Sequence, residues 1–130
     1  MPSKTRKNSR SSTRNIVPTF LGMLNTVKLY HWKTSSYSTH KATDELYTEL
    51  NGHLDTFVET LLGTVDRNAL LTPTSLKIPL YRNNDDFKRQ VNVYKRFLTS
   101  MPSSYGTDVL NIRDEILGSL DKFLYLLTLH

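Results

Sequence analysis

Apolar side chains recur at intervals of three and four residues in four segments of the chain, which is the spacing of one face of an α-helix. This periodicity predicts helix A over about 16–33, helix B over about 38–67, helix C from just before Phe87 to about Met101, and helix D from Thr107. An Asn-Asp pair is expected to cap helix C, and Thr107 is expected to cap helix D. The predicted core positions are Val17, Phe20, Leu24, Val27 and His31 in helix A; Leu46, Leu50, Leu54, Phe57, Leu61 and Val65 in helix B; Phe87, Val91, Tyr94 and Leu98 in helix C; and Val109, Ile112, Ile116, Leu120, Phe123 and Leu127 in helix D.

The connections between these helices differ in length. Residues 34–39 are rich in Ser and Thr, which supply helix caps, and they form a short A–B connection. Pro73 and Pro79 interrupt the stretch LLTPTSLKIPLYRNN, which therefore reads as a long crossover, with room for a short helical turn. Four helices with one long connection between the second and the third predict an all-α, ferritin-like four-helix bundle.

Composition limits the classes of protein to consider. A chain of 130 residues that is 38% hydrophobic can bury the core of one domain. It contains no cysteine, which excludes disulfides, thiolate metal sites and cysteine nucleophiles. Nucleotide-binding glycine loops and hydrolase motifs are also missing from the sequence. No apolar run approaches the roughly 20 residues that cross a bilayer. The sequence thus predicts no membrane segment and an intracellular location, in the cytoplasm, the nucleoid or a virion.

The net charge of +5 lies entirely in the first fourteen residues, since the remainder carries twelve basic and twelve acidic side chains. Residues 1–15 are predicted to be a disordered basic tail, because they lack apolar anchors, and residues 16–130 to be the folded domain. Nucleic-acid binding, a localisation signal and a solubilising extension are all compatible with such a tail. The candidate phosphate contacts are Lys4, Arg6, Lys7, Arg10 and Arg14.

Five metal-capable side chains lie close together in the sequence: His31, His40, Asp44, Asp55 and Glu59. On one helix the last four fall within roughly 100° of the same face. Asp44 and Asp55, however, are about 16 Å apart along the axis, so one ion cannot reach both. A second copy of the helix, antiparallel across a two-fold axis, would set the histidine end of one chain against the carboxylates of the other. The spacing predicts an intersubunit site, duplicated by symmetry.

The stretches YHWKTSSYSTHKATDELYTEL, HLDTFVETLLG and SLDKFLYLL resemble the Dps family of mini-ferritins. In that family helix A ends in His-Trp, helix B opens with His-x-x-x-Asp, and Asp-x-x-x-Glu follows eleven residues later; here only the connection from His31 to His40 is shorter than usual. The resemblance implies a ferroxidase centre in which His31, Asp55 and Glu59 are catalytic. It places Trp32 beside the centre, with His40 as a further ligand and Asp44 as a ligand or an orienting group.

The resemblance further implies a homo-oligomer, at least a two-fold dimer and by family a dodecamer, that oxidises Fe²⁺ with peroxide or dioxygen, stores iron and binds DNA through its tail. Imidazole and carboxylate donors suit iron, and zinc or manganese are also compatible with them. Two alternatives remain open. One is a nucleic-acid-packaging helical bundle with a structural or vestigial metal site, and the other is a plain helical interaction module.

Overall fold

A computed structural model describes the backbone of residues 2–129 and the side chains of residues 13–129. The described chain is all-helical, as the periodicity predicts. The helices are α1 (Pro2–Lys33), α2 (Tyr37–Leu62), α3 (Arg67–Leu70), α4 (Asn84–Thr99) and α5 (Thr107–Leu126), with a 3₁₀ turn at Ser103–Tyr105 before α5.

Helix packing places the core between the four long helices. α2 contacts both α1 and α5, α4 contacts α5 and α1, and the short α3 packs on α1. The arrangement is bundle-like, and residues 71–83, between α3 and α4, contain no helix. Among the helices of the described residues, none combines the length and the apolar character needed to cross a membrane.

Helix ends differ from the expectations at three places. α1 begins at Pro2 rather than near residue 16, so it takes in the segment assigned to a basic tail. α2 ends at Leu62 instead of near Arg67, because the Gly63 N–H turns back to the Thr60 carbonyl and the chain then starts α3 separately. Thr107 is the first residue of α5 and not its cap; that position belongs to Gly106, at φ 96°. At α4 an asparagine caps the helix, as expected, but it is Asn83, which precedes the Asn-Asp pair and whose side chain accepts the Asp86 N–H.

The core is aromatic where the helices meet. The Phe20 ring stands edge-on to Phe57, with centroids 5.1 Å apart, and Tyr30 stacks on Phe87 at 4.3 Å. The predicted core residues of helix C are all buried, as are those of helix B up to Leu61. On α1 the predicted Phe20, Val27 and His31 are buried, whereas Val17 and Leu24 are only partly buried, because α1 packs against α2, α3 and α4 together and buries a wider face of the helix. Its fully buried apolar residues are Ile16, Phe20, Met23, Val27 and Tyr30.

Candidate metal centre

The short turn from α1 to α2 brings His31 and His40 together. α1 ends at Lys33, and α2 begins at Tyr37 after Ser36, whose hydroxyl accepts the Thr39 N–H. Because only three residues separate the two helices, the last turn of α1 lies directly against the first turn of α2. The two imidazole rings stack there with their centroids 3.9 Å apart and their planes 19° apart.

The two histidines exchange hydrogen bonds with one another's backbone. His31 Nδ1 lies 2.9 Å from the His40 carbonyl oxygen, and His40 Nδ1 lies 3.1 Å from the His31 carbonyl oxygen. A carbonyl oxygen can only accept, so each Nδ1 must carry the hydrogen and donate. In the neutral form of each ring, the lone pair is therefore on Nε2. A histidine that ligates a metal is usually held in this way, by a carbonyl that accepts its other N–H.

The donor set fits a borderline divalent cation. Neutral imidazole nitrogens suit iron, zinc, copper and nickel better than calcium or magnesium. His31 is 9% exposed, and His40 is half-buried beside it. Both rings are thus partly shielded from water at the edge of the bundle, and neither Nδ1 is available to a ligand.

The three carboxylates predicted for the site, Asp44, Asp55 and Glu59, lie on the exposed surface of α2. Nowhere in the described residues do three or more His, Asp or Glu side chains gather closely enough to hold an ion. The structure therefore brings together His31 and His40 and does not add the acids to them within one chain. The five-residue site of the sequence analysis remains a prediction about two chains.

Helix α2 is strongly acidic. Its 26 residues contain one lysine against five carboxylates, a net charge of −4. A surface of this sign raises the local concentration of cations. Asp55 also borders a groove of about 250 Å³ between α1, α2 and Leu71, whose other walls are mainly apolar. Acidic and apolar groups thus share this side of the molecule.

Trp32, expected beside the centre, is 69% exposed on the last turn of α1. The Lys28 ammonium group lies 5.7 Å from the centroid of its ring and 4.4 Å from that of Tyr47. These distances allow cation–π attraction. Trp32 therefore lies at the solvent-facing seam of α1 and α2, next in sequence to the buried His31.

Sequence reasoning missed one residue of the site, Thr43. Its hydroxyl is completely buried and lies 3.0 Å from His31 Nδ1. The signal was available, because a threonine three residues after His40 lies on the same side of a helix.

Most of the predicted nucleic-acid contacts lie outside residues 13–129, the part of the chain whose side chains the structure describes. Lys4, Arg6, Lys7 and Arg10 have side chains beyond the described part of the chain, and only Arg14 lies within it, exposed. The role of this basic segment stays a prediction.

Comparison with family models gives one match, over residues 31–127, to DUF5856, a family of unknown function. The chain belongs to this family. No curated protein and no solved structure matches it. The part that matches the DUF5856 model begins at His31 and includes His40, Thr43 and the three carboxylates of α2.

Proposed function

We propose that this DUF5856 protein is a Dps-like ferroxidase and iron-storage protein that binds Fe²⁺ between two copies of the chain. The observation that carries the proposal is the pair of reciprocal hydrogen bonds between His31 and His40. His31 and His40 direct both Nδ1–H groups to carbonyls, so that each neutral ring offers an Nε2 lone pair to an ion.

A second copy supplies what one chain lacks. Two imidazoles hold an iron ion weakly, and Asp55 and Glu59 of the same α2 lie too far along the helix from His40 to complete the site. An antiparallel α2 from a second copy would bring its own Asp55 and Glu59 to the histidines. The exposed apolar groups on this side, including Leu21 and Leu71, are surface that such a partner would cover.

The contacts among the long helices support a ferritin-like four-helix bundle as the framework. The described pairs α1–α2, α2–α5, α5–α4 and α4–α1 form a closed ring, and the long non-helical connection lies between the second and third long helices. Both features are typical of that architecture. A dodecameric shell, as in Dps proteins, would enclose the ferric product, whereas a dimer completes the metal site alone.

Iron is the substrate in this proposal. Carboxylate oxygens are hard donors that bind Fe³⁺ better than Fe²⁺, so a site containing Asp55, Glu59 and Asp44 favours loss of an electron. Two Fe²⁺ ions together give two electrons to one hydrogen peroxide, which takes up two protons and leaves as two waters. Zinc fits the same donors and would bind without this reaction because it has no redox chemistry, and manganese fits them as well.

The direct test measures ferric absorbance after Fe²⁺ and then peroxide are added to the native chain and to Asp55→Ala/Glu59→Ala. We expect most of the catalysed oxidation to be lost in that double variant. Asp108→Ala/Asp114→Ala is the matched control, because it removes two exposed carboxylates from α5, of which Asp114 pairs with Arg113 of the same helix. Equal rates for the native chain and the α2 double variant would refute the centre.

Mixing variants tests whether the site lies between chains. His40→Ala and Asp55→Ala/Glu59→Ala are each expected to be inactive alone. After dissociation and reassociation of a one-to-one mixture, about one quarter of the sites would combine an intact histidine pair with intact acids. Recovery of about a quarter of the native rate supports an intersubunit site. No recovery from mixed dimers of confirmed composition would show that the site is not shared.

The basic tail favours a second activity, which is non-specific binding of DNA. Five cations without an acid among the first fourteen residues can contact phosphates, and phosphate contacts carry no sequence information. If all five bind, the logarithm of the affinity should fall with the logarithm of salt concentration at a slope of about −4.5 per tail. A chain lacking residues 1–14 should lose DNA retardation and keep iron oxidation. Equal retardation by both chains would exclude the tail.

A further inference from the structure

We propose that Thr43 is a positioning residue of this centre, which keeps His31 in the tautomer whose Nε2 is free to bind metal. The inference rests on the proposed function, because a positioning role presupposes a metal centre. Its evidence is the hydrogen-bond geometry around one buried hydroxyl. Thr43 is completely buried, and its hydroxyl contacts both histidines, at Nδ1 of His31 and at the backbone carbonyl of His40.

The hydroxyl of Thr43 has two backbone acceptors. Its Oγ1 lies 2.8 Å from the Thr39 carbonyl oxygen and 3.0 Å from the His40 carbonyl oxygen. A hydroxyl has one hydrogen to donate and lone pairs with which to accept. Once its hydrogen is given to either carbonyl, the group that remains near it, His31 Nδ1, must be the donor. The contact at 3.0 Å therefore reads as Nδ1–H donating to Thr43 Oγ1.

His31 Nδ1–H thus lies between two acceptors, the Thr43 hydroxyl and the His40 carbonyl. Both favour the hydrogen on Nδ1, and together they fix the plane of the ring. The His40 carbonyl must also accept a helical N–H from Asp44, so it is shared among donors. Removal of the hydroxyl would leave His31 with only this shared acceptor.

A third helix stabilises the arrangement from behind. Asn84, at the start of α4, donates from Nδ2 to Thr39 Oγ1 at 3.2 Å. Thr39 is buried, and its carbonyl is the closer acceptor of the Thr43 hydroxyl. The first turn of α2 is therefore held between α1 and α4 at the point where Thr43 meets His31.

Thr43→Val is the decisive substitution, because valine keeps the branched shape and removes the hydroxyl. A methyl group cannot sit 3.0 Å from a ring nitrogen, since carbon atoms keep about 3.5–4.0 Å from their neighbours. The ring must then turn away from the His40 carbonyl as well. We expect the fraction of His31 with hydrogen on Nδ1, measured by ¹⁵N NMR of the metal-free chain, to fall. We also expect the affinity for Zn²⁺ and Co²⁺ to fall by about 10–100-fold.

Two further variants separate positioning from general damage. Thr43→Ser restores the hydroxyl and should restore both the native tautomer and the native affinity. Thr48→Val is the matched control on the same helix, since its exposed hydroxyl donates only to the Asp44 carbonyl, at 3.2 Å. It should change neither quantity.

The outcomes distinguish this inference from the proposed function. A Thr43→Val chain that melts earlier but keeps the native His31 tautomer would overturn the positioning role, even if the native chain oxidises iron. A native chain that binds neither Zn²⁺ nor Co²⁺ would overturn the metal centre. The NMR comparison would still decide in that case whether Thr43 orients the His31 ring, because it is made without metal.

Discussion

The Tyr30 hydroxyl donates a hydrogen bond of 2.7 Å to Asn84 Oδ1, across 54 residues of sequence. Tyr30 precedes His31 in α1, and Asn84 is the first residue of α4, so this bond ties the end of one helix to the start of another. Asn84 passes the connection on to Thr39 of α2 through its amide group. Three helices thus meet behind the histidine pair through two hydrogen bonds.

Tyr30→Phe should lower the free energy of unfolding by roughly 1–2 kcal/mol, because it leaves the half-buried Asn84 oxygen without its donor. Burial raises the pKa of Tyr30, with a smaller contribution from the charge of Asp86, so the hydroxyl remains a donor well into the alkaline range. Urea denaturation measures the change. Tyr125→Phe, at a ring that is 61% exposed, is the control and should have little effect. Equal losses for both variants would contradict the importance of the Tyr30–Asn84 bond.

Phe57→Ala should cost about 3–5 kcal/mol, since it removes a completely buried ring from the middle of the core. Phe57 meets Phe20 of α1 edge-on. Val93→Ala, at an exposed position of α4, should change the stability by less than about 0.5 kcal/mol. Thermal or chemical unfolding of the two variants tests the packing. A Phe57 variant as stable as the native chain would mean that the ring is not in the core.

Gly106→Ala should destabilise the protein by roughly 1–3 kcal/mol, because its φ of 96° and ψ of 157° lie in a backbone region that essentially only glycine adopts. An added Cβ would also lie 2.9 Å from Asp108 Oδ1. Gly118→Ala is the comparison variant for which we expect the opposite effect, since Gly118 lies inside α5 and has nothing within 4 Å of a new Cβ. That change should stabilise the helix by about 0.5–1 kcal/mol. If both substitutions shift the melting temperature in the same direction, the assignment of the turn at Gly106 is wrong.

The stability of the protein should depend on pH through Asp86, in the first turn of α4. A hydrogen bond from the Arg82 backbone N–H, followed by one from the Arg89 side chain, lowers the pKa of this carboxyl below its ordinary value of 3.8. A depressed folded-state pKa means that the stabilisation is complete above the ordinary value and is lost as the pH falls through the folded-state value. At neutral pH the native protein should therefore have a higher melting temperature than the Asp86→Asn variant. This difference in melting temperature should vanish in strong acid.

Asp85→Asn is the control for this effect, because Asp85 is exposed in the same first turn and shares its position near the helix N-terminus. Substitution there should reproduce only the smaller effect of losing a charge from that turn. If the Asp86→Asn difference persisted unchanged into strong acid, the carboxylate contacts with Arg82 and Arg89 would not be its source.

The secondary structure follows largely from local patterns. The stripes of helices B and C are buried as predicted, because each helix presents one face to the core and a 3.6-residue repeat marks that face unambiguously. The prediction was less accurate for α1, whose neighbours on several sides bury a wider surface than a single stripe. The prediction also placed the cap of α5 one residue too late. Thr107 is a residue type that often caps helices, but Gly106, with its positive φ, occupies the cap position and Thr107 is the first residue of the helix.

The sequence by itself determined that the chain is helical, where its long helices lie, and which residue types could bind a cation, because these depend on periodicity and on side-chain chemistry. Only the tertiary structure decided that His31 and His40 lock each other's tautomer and that Thr43 meets His31. Those contacts join the end of α1 to the beginning of α2, and their distances depend on how the helices pack. Helical spacing along one segment carries no information about that packing.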